Sequence, residues 1–187
     1  LAVELHDSLS QYLTGVALQI NAGRHTLAAQ ALKSCRDELR NCLWDLRSNA
    51  IDCDSMDEAI RQTLEPHVED IALSIRFNVR RAALSDNTAY AILRIIRELV
   101  VNAIRHGGAA NVRIAGSLEP DRLLFSVRDD GCGFDPANRP GIAEGHFGLQ
   151  GVSERVATLG GEIAFESRPN AGTKVTVTLP RTPHQAP

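Results

Sequence analysis

The apolar residues of this chain keep a helical period for about fifty residues and then change to an alternating one, and few folds accommodate both. From Leu1 to Ile20, the positions Leu5, Leu9, Leu13, Val16 and Ile20 recur three or four residues apart, on one face of a helix. Gly23 breaks the pattern, and Leu27, Ala31, Leu32, Cys35, Leu39, Cys42, Leu43 and Leu46 resume it as far as Asn49. Two helices joined by a short polar turn make a hairpin. One hairpin cannot cover both apolar faces, so a second copy is expected to complete a four-helix bundle, making the protein a homodimer.

Beyond a polar, acidic stretch at residues 51–55, the period shortens. A helix is expected over Met56–Glu69, then a strand over Leu73–Val79, then a long helix over Asn87–His106 capped by Ser85 or Asp86. The runs "NVRIAGSL" and "RLLFSVRD" read as strands, followed by a glycine-rich loop and a helix over Leu149–Leu159. Two more strands, "GEIAFES" and "TKVTVTLP", complete the series; Val175, Val177 and Leu179 alternate as in a half-buried edge strand. The fold class is therefore α+β. A helical hairpin (residues 1–50) and a linker (51–55) precede an α/β sandwich (56–181) with helices on one face of a mixed sheet, and a frayed tail (182–187) follows.

Composition excludes several functions. The chain has 187 residues, 20 basic and 23 acidic, for a net charge of −3, so nothing electrostatic favours direct nucleic-acid binding. No apolar run approaches the roughly 20 residues that span a bilayer, and there is no signal peptide. The chain opens inside a helical pattern without an initiator Met. It is expected to be a cytoplasmic piece of a longer protein, with any membrane anchor upstream. Cys35 and Cys42 are seven apart on the second helical stripe, and read as small core residues in a reducing compartment. No C-x-x-C pair or His cluster suggests a bound transition metal.

Chemistry-bearing residues gather in the second half. On "RIIRELVVNAIRHGG", Glu98 and Asn102 are four apart, with Arg105 and His106 one turn further, on a stripe apart from Ile92, Ile96, Leu99 and Ala103. In "FSVRDDGCGFD" an alternating strand runs into Asp129, Asp130, Gly131, Cys132 and Gly133. A carboxylate there can accept from an exocyclic amine such as that of adenine, although the same five residues suit a plain turn. At "EGHFGLQGVSER", Gly148 and Gly151 open a helix whose free N–H groups suit phosphate. Gly172 and Thr173 precede the last strand.

In that order, "RELVVNAIRH", "DDGCGFD", "GHFGLQGVSER" and "AGTKVTVTLP" resemble the N, G1, G2 and G3 boxes of the ATP-binding domain shared by histidine kinases, gyrase B, Hsp90 and MutL. The resemblance covers roughly residues 56–180, and "GHFGLQGVSERV" is similar to the nitrate-sensor (NarX/DesK-like) histidine kinases. It implies ATP and Mg2+ as cofactors. Asn102 would take the Mg2+ through its amide oxygen, with Glu98 as a base or as the partner of Asn102. Asp129 would hold the adenine amine, Thr173 would lie beside it, and Gly131 and Gly133 would shape the wall. Arg105 and His106 would lie near the phosphates. Gly148, Leu149 and Gly151 would belong to the lid side of the site, with "FDPANRPGIAEGHFG" as the mobile lid.

The same resemblance gives a meaning to "ELHDSLSQYL". In these kinases the phosphoacceptor box reads E-L-H-D-x-x-x-Q, which assigns His6 as the phosphoacceptor. Leu5, Leu9 and Leu13 turn inward, while His6 and Ser10 share one face and Asp7 and Gln11 another. A neutral imidazole is a competent nucleophile near neutral pH. Asp7 would orient the ring or accept its proton, and Gln11 would position a water for regulator dephosphorylation. The expected function is the catalytic core of a two-component sensor histidine kinase: autophosphorylation of His6, then transfer to an Asp of a response regulator receiver domain. The alternatives are a phosphatase-biased member and a nucleotide-binding dimerisation module without kinase activity.

Overall fold

Ser55 is extended, and its hydroxyl accepts from the Glu58 amide at 3.2 Å, which caps helix α1 (Met56–Leu64). Asp57 and Glu58 in the first turn complement the helix dipole, while Met56, Ala59, Ile60, Thr63 and Leu64 bury the opposite face. The helix is shorter than its apolar pattern suggests. Pro66 has no amide hydrogen to continue the ladder, so Glu65–His67 tightens into a 3-10 turn. The computed structural model describes residues 16–17, 20, 23–29, 32, 52–135 and 147–181, and the chain divides into two units, Leu1–Ser48 and Asn49–Pro187.

Strand β1 (Ala72–Asn78) is followed by a 3-10 turn at Arg81–Ala83 that prepares the long helix α2 (Asp86–Arg105). The buried Arg81 guanidinium donates to the Leu84 carbonyl at 2.9 Å and pairs with Asp86. Ser85 caps the helix by accepting from the Thr88 amide at 3.2 Å. Ala89, Ile92, Leu93, Ile95, Ile96, Leu99, Val100 and Ala103 make a wide apolar stripe, which suits a helix laid on a sheet.

Strands β2 (Asn111–Leu118), β3 (Arg122–Asp129), β4 (Glu162–Ser167) and β5 (Thr173–Pro180) complete a mixed sheet in the order β1-β2-β3-β5-β4. Only β1 and β2 run parallel, with α2 in the connection between them; the other neighbours are antiparallel. The expectation that β5 is an edge strand fails. It lies between β3 and β4, and the edges are β1 and β4. Alternation reports a single covered face, and an interior antiparallel strand with one such face carries the same pattern.

The inward face is continuous across the sheet. Phe77, Gly116, Phe125, Val177 and Ile163 lie side by side in register. A Cβ at Gly116 would strike the Phe77 ring, so the glycine makes room for that ring to reach Phe125, with centroids 6.0 Å apart. Helices α1, α2 and α3 (Phe147–Thr158) pack together over this face. Burying each of these phenylalanines contributes about 1.5–3 kcal/mol.

In the first unit, residues 25–29 are helical beyond a turn at Gly23, whose amide donates to the Ile20 carbonyl at 2.9 Å. Gly23 has φ 71°, a left-handed conformation that ends the first helical stretch where the sequence breaks. Val16 and Ala28 are buried, whereas Ile20, Leu27 and Leu32 are 50%, 47% and 53% exposed. Leu27, on the expected apolar stripe, is thus exposed within one chain, beside the buried Ala28. Cys35 and Cys42, residues 136–146 of the expected lid and the tail at 182–187 lie outside the described residues. No described helix is long and apolar enough to cross a membrane.

A candidate nucleotide site at the sheet end

Strand β3 ends on Asp129, and the loop after it meets two other parts of the chain. Asp129 Oδ1 accepts from the Gly131 amide at 2.8 Å and from the Thr173 amide, at the start of β5, at 3.2 Å. Its Oδ2 has no donor among the described residues. Burial pushes the Asp129 carboxyl above its ordinary value, opposed by those two amides, while the neighbouring Asp130 charge adds to the rise. A half-buried carboxylate with one oxygen satisfied and one open has lone pairs that a ligand donor could use.

Asp130 turns the other way. It accepts from the amides of Ala110 and Asn111 at 2.9 and 2.8 Å and from the Asn111 carboxamide at 2.6 Å. These bonds, the Asn111 carboxamide foremost, hold its carboxyl below the ordinary value. Asp130 therefore ties the loop to the turn after α2. The sequence reading assigned it no role, although its doubling with Asp129 was a visible signal.

The glycines of the loop are there for close approach. A Cβ on Gly131 would come within 2.7 Å of the Gly107 carbonyl, the same oxygen that accepts from the Cys132 amide at 2.8 Å. Gly133 has φ 57°, and a Cβ there would strike the Arg168 carbonyl and come within 2.8 Å of Gly172 O. The Cys132 thiol is exposed and lies 3.6 Å from the His106 carbonyl. The loop after β3 is thus clamped between the C-terminal turn of α2 and the turn before β5.

On α2, Asn102 and Glu98 are half-buried, and the Asn102 Nδ2 donates to Glu98 Oε1 at 3.3 Å. Spending one amide hydrogen on Glu98 fixes the carboxamide so that its Oδ1 remains an acceptor. Arg105 and His106 are exposed at the end of the helix. Helix α3 begins at Phe147, two residues before its expected start, so Gly148 lies inside its first turn. Leu149 is half-buried, and a Cβ on Gly151 would meet nothing within 4 Å among the described residues.

The structure therefore joins Asp129, Gly131 and Thr173 in one hydrogen-bonded cluster, sets Gly133 close against the Arg168 and Gly172 carbonyls, and pairs Glu98 with Asn102. His6, Asp7 and Gln11 lie outside the described residues. Sequence reasoning missed Ser167, a buried hydroxyl at the end of β4 that meets Phe134, Gly172 and Thr173. A serine in a strand carries no signal of its own; only the register Ser167↔Thr173 puts it at the site.

A mixed sheet covered on one face by helices, with a carboxylate-centred glycine loop against the end of the longest of them, defines an α/β sandwich of the nucleotide-binding type. Residues 87–183 match the family model described as histidine kinase-, DNA gyrase B-, and HSP90-like ATPase, and residues 1–51 match one described as histidine kinase. The chain belongs to the histidine kinase family, with an ATPase domain of that type. It is 30% identical, over 96% of its length, to the signal transduction histidine-protein kinase/phosphatase UhpB of Salmonella typhimurium. It is also 30% identical, over 96% of its length, to the nitrate/nitrite sensor protein NarQ of Escherichia coli. The chain spans 38% and 34% of these two relatives. Among solved structures, the histidine kinase domain of the blue-light activated kinase EL346 from Erythrobacter litoralis shares the fold. Its TM-score is 0.60 at 19% identity, with 94% of this chain and 96% of that one covered.

Proposed function

We propose that this chain is the catalytic core of a two-component sensor kinase. It would bind ATP at the Asp129 cluster, phosphorylate His6, and pass the phosphoryl group to an aspartate on a response regulator receiver domain. The observation that carries the reading is the open Oδ2 of Asp129, held in place by the Gly131 and Thr173 amides, in a chain whose first 51 residues match a histidine kinase model.

The roles follow from the donor and acceptor inventory. Asp129 Oδ2 accepts from the exocyclic amine of adenine. Among the described residues no group of three His, Cys, Asp or Glu side chains could hold a metal alone. One carboxamide oxygen, Asn102 Oδ1, fits Mg2+ instead, because that ion keeps waters and takes phosphate oxygens for the rest of its shell. Bound there, the ion would neutralise phosphate charge, and Glu98 holds the Asn102 amide in the orientation it needs. The exposed Arg105 and His106 supply positive or hydrogen-bonding groups beside the phosphates. Gly148, Leu149 and Gly151 form the helix start over which the lid closes.

A neutral nitrogen of His6 attacks the γ-phosphorus, the bond to the β–γ bridging oxygen breaks, and ADP leaves with that electron pair. The ring proton passes to Asp7 or to water. The exposed Ile20, Leu27 and Leu32 support a homodimer, closed as a four-helix bundle by a second hairpin. We place the core in the cytoplasm, with any membrane attachment upstream and no direct contact with nucleic acid. UhpB, a relative with a kinase/phosphatase name, favours a second activity at the same surface, with Gln11 positioning water against the phosphorylated regulator.

Incubation with γ-labelled ATP and Mg2+ tests the assignment. The parent chain should gain acid-labile, base-stable label, His6→Gln should gain none, and Asn102→Ala should lose most of it while remaining folded. Label that survives His6→Gln would remove His6 from the mechanism. Gln11→Ala should slow regulator dephosphorylation more than autophosphorylation.

A further inference from the structure

Ser167 is buried where β4 ends, directly opposite Thr173 at the start of β5. Its Oγ meets three groups: the Phe134 amide at 2.9 Å, the Gly172 carbonyl at 3.1 Å and the Thr173 hydroxyl at 2.9 Å. A serine hydroxyl has one proton and two lone pairs, so three partners use all of them. The Phe134 N–H can only donate, and it takes one lone pair. The Gly172 carbonyl can only accept, and Ser167 is its donor among the described residues. Leaving that buried carbonyl unpaired is the costly alternative, so the serine proton goes to Gly172. The remaining lone pair then has to receive the Thr173 proton.

We propose that Ser167 is a positioning residue that turns the Thr173 hydroxyl into an acceptor-only group, and that this sets the preference of the pocket for a 6-aminopurine over a 6-oxopurine. The proposal rests on the nucleotide-site reading above and deepens it. With the Thr173 proton committed to Ser167, its Oγ1 offers only lone pairs. The adjacent Asp129, bonded to the Thr173 amide at 3.2 Å, also offers only lone pairs through Oδ2. Two acceptors side by side suit an exocyclic amine, which carries two N–H donors. A keto oxygen in the same place would face two acceptors with no proton between them, and such mismatches are what a polar pocket rejects best. Ser167 also holds the first residues of the loop leading to the lid, through Phe134, so one hydroxyl couples loop position to base selection.

The two functions separate in the measurement. Dissociation constants for ATP and for inosine triphosphate are measured by calorimetry on the full chain, as parent, Ser167→Ala and Ser167→Thr. Losing the Phe134 anchor weakens both nucleotides together and cancels in their ratio. Losing the proton acceptor frees the Thr173 hydroxyl to donate to a keto oxygen, and the ATP preference should fall about tenfold. Ser167→Thr keeps the hydroxyl and should keep the preference. In a Thr173→Val background, Ser167→Ala should leave the ratio unchanged, because the group it acts through is gone.

An unaltered ratio in Ser167→Ala, with both affinities reduced equally, would overturn the proposal while leaving the nucleotide site intact. A parent chain that binds neither nucleotide would overturn both. Should Ser167→Ala fail to fold, Ser167→Cys, closer in volume and a poor acceptor, carries the same comparison with the same two outcomes.

Discussion

Replacing Asp129 by Asn exchanges one atom and separates what the carboxylate does for the fold from what it does for the ligand. The amide oxygen can keep accepting from the Gly131 and Thr173 amides, at 2.8 and 3.2 Å in the parent. The NH2 group then takes the place of Oδ2. Toward an exocyclic amine this turns an acceptor into a donor. The lost bond to a charged acceptor is worth about 1.5–3 kcal/mol, and an unpaired, partly buried donor adds about 1–3 kcal/mol. A combined loss of about 2.5–6 kcal/mol corresponds to a weakening of ATP binding between roughly seventyfold and roughly twenty-thousandfold. The melting temperature should change by only a few degrees, since both loop amides keep an acceptor. Asp129→Ala should differ, because it strands the Gly131 and Thr173 amides and costs about 2–4 kcal/mol of stability as well. Calorimetric titration with ATP and a thermal melt on each variant measure both quantities. An Asp129→Asn variant that binds ATP within about threefold of the parent would refute the reasoning, since the inverted hydrogen bond is worth far more than that.

Two further outcomes follow from the glycines. Gly133→Ala places a Cβ at φ 57° against the Arg168 and Gly172 carbonyls, so it should cost about 3 kcal/mol or more and weaken ATP binding as Gly172 shifts. Gly151→Ala meets nothing within 4 Å among the described residues and lies within α3, so the melt should be unchanged or raised by up to about 1 kcal/mol in stability, even where binding suffers. Asp130 gives a pH test. Its folded pKa lies below its unfolded value, so its contribution is present above the ordinary carboxylate pKa of about 3.9 and is lost as pH falls through the folded value. The gap in melting temperature between the parent and Asp130→Asn should be constant near neutrality and close on strong acidification. A gap that survives at the acid end would show that the charge is not its source.

Much of this was readable beforehand because strands and helices differ in hydrophobic period. "NVRIAGSL", "RLLFSVRD" and "TKVTVTLP" coincide with β2, β3 and β5, and Ser85 caps α2 as its residue type suggests. The errors have local causes. Pro66 ended α1 early, which a reading weighted toward apolar spacing overlooked. Helix α3 was expected from Leu149 and includes Phe147 and Gly148 as well, since a glycine weakens a helix without forbidding it.

The sequence by itself determined which residues could do chemistry: the order of the glycine loops, the Asp at the end of β3, the Glu98–Asn102 spacing. Those are properties of residue type and short-range geometry, so they survive without coordinates. Only the tertiary structure decided that β5 lies inside the sheet, that Asp129 and Asp130 face different partners, and that Ser167 meets Thr173. Each of these depends on strand order or register across separate segments, and hydrogen bonding between strands fixes that register in space while leaving no mark on the period of either strand.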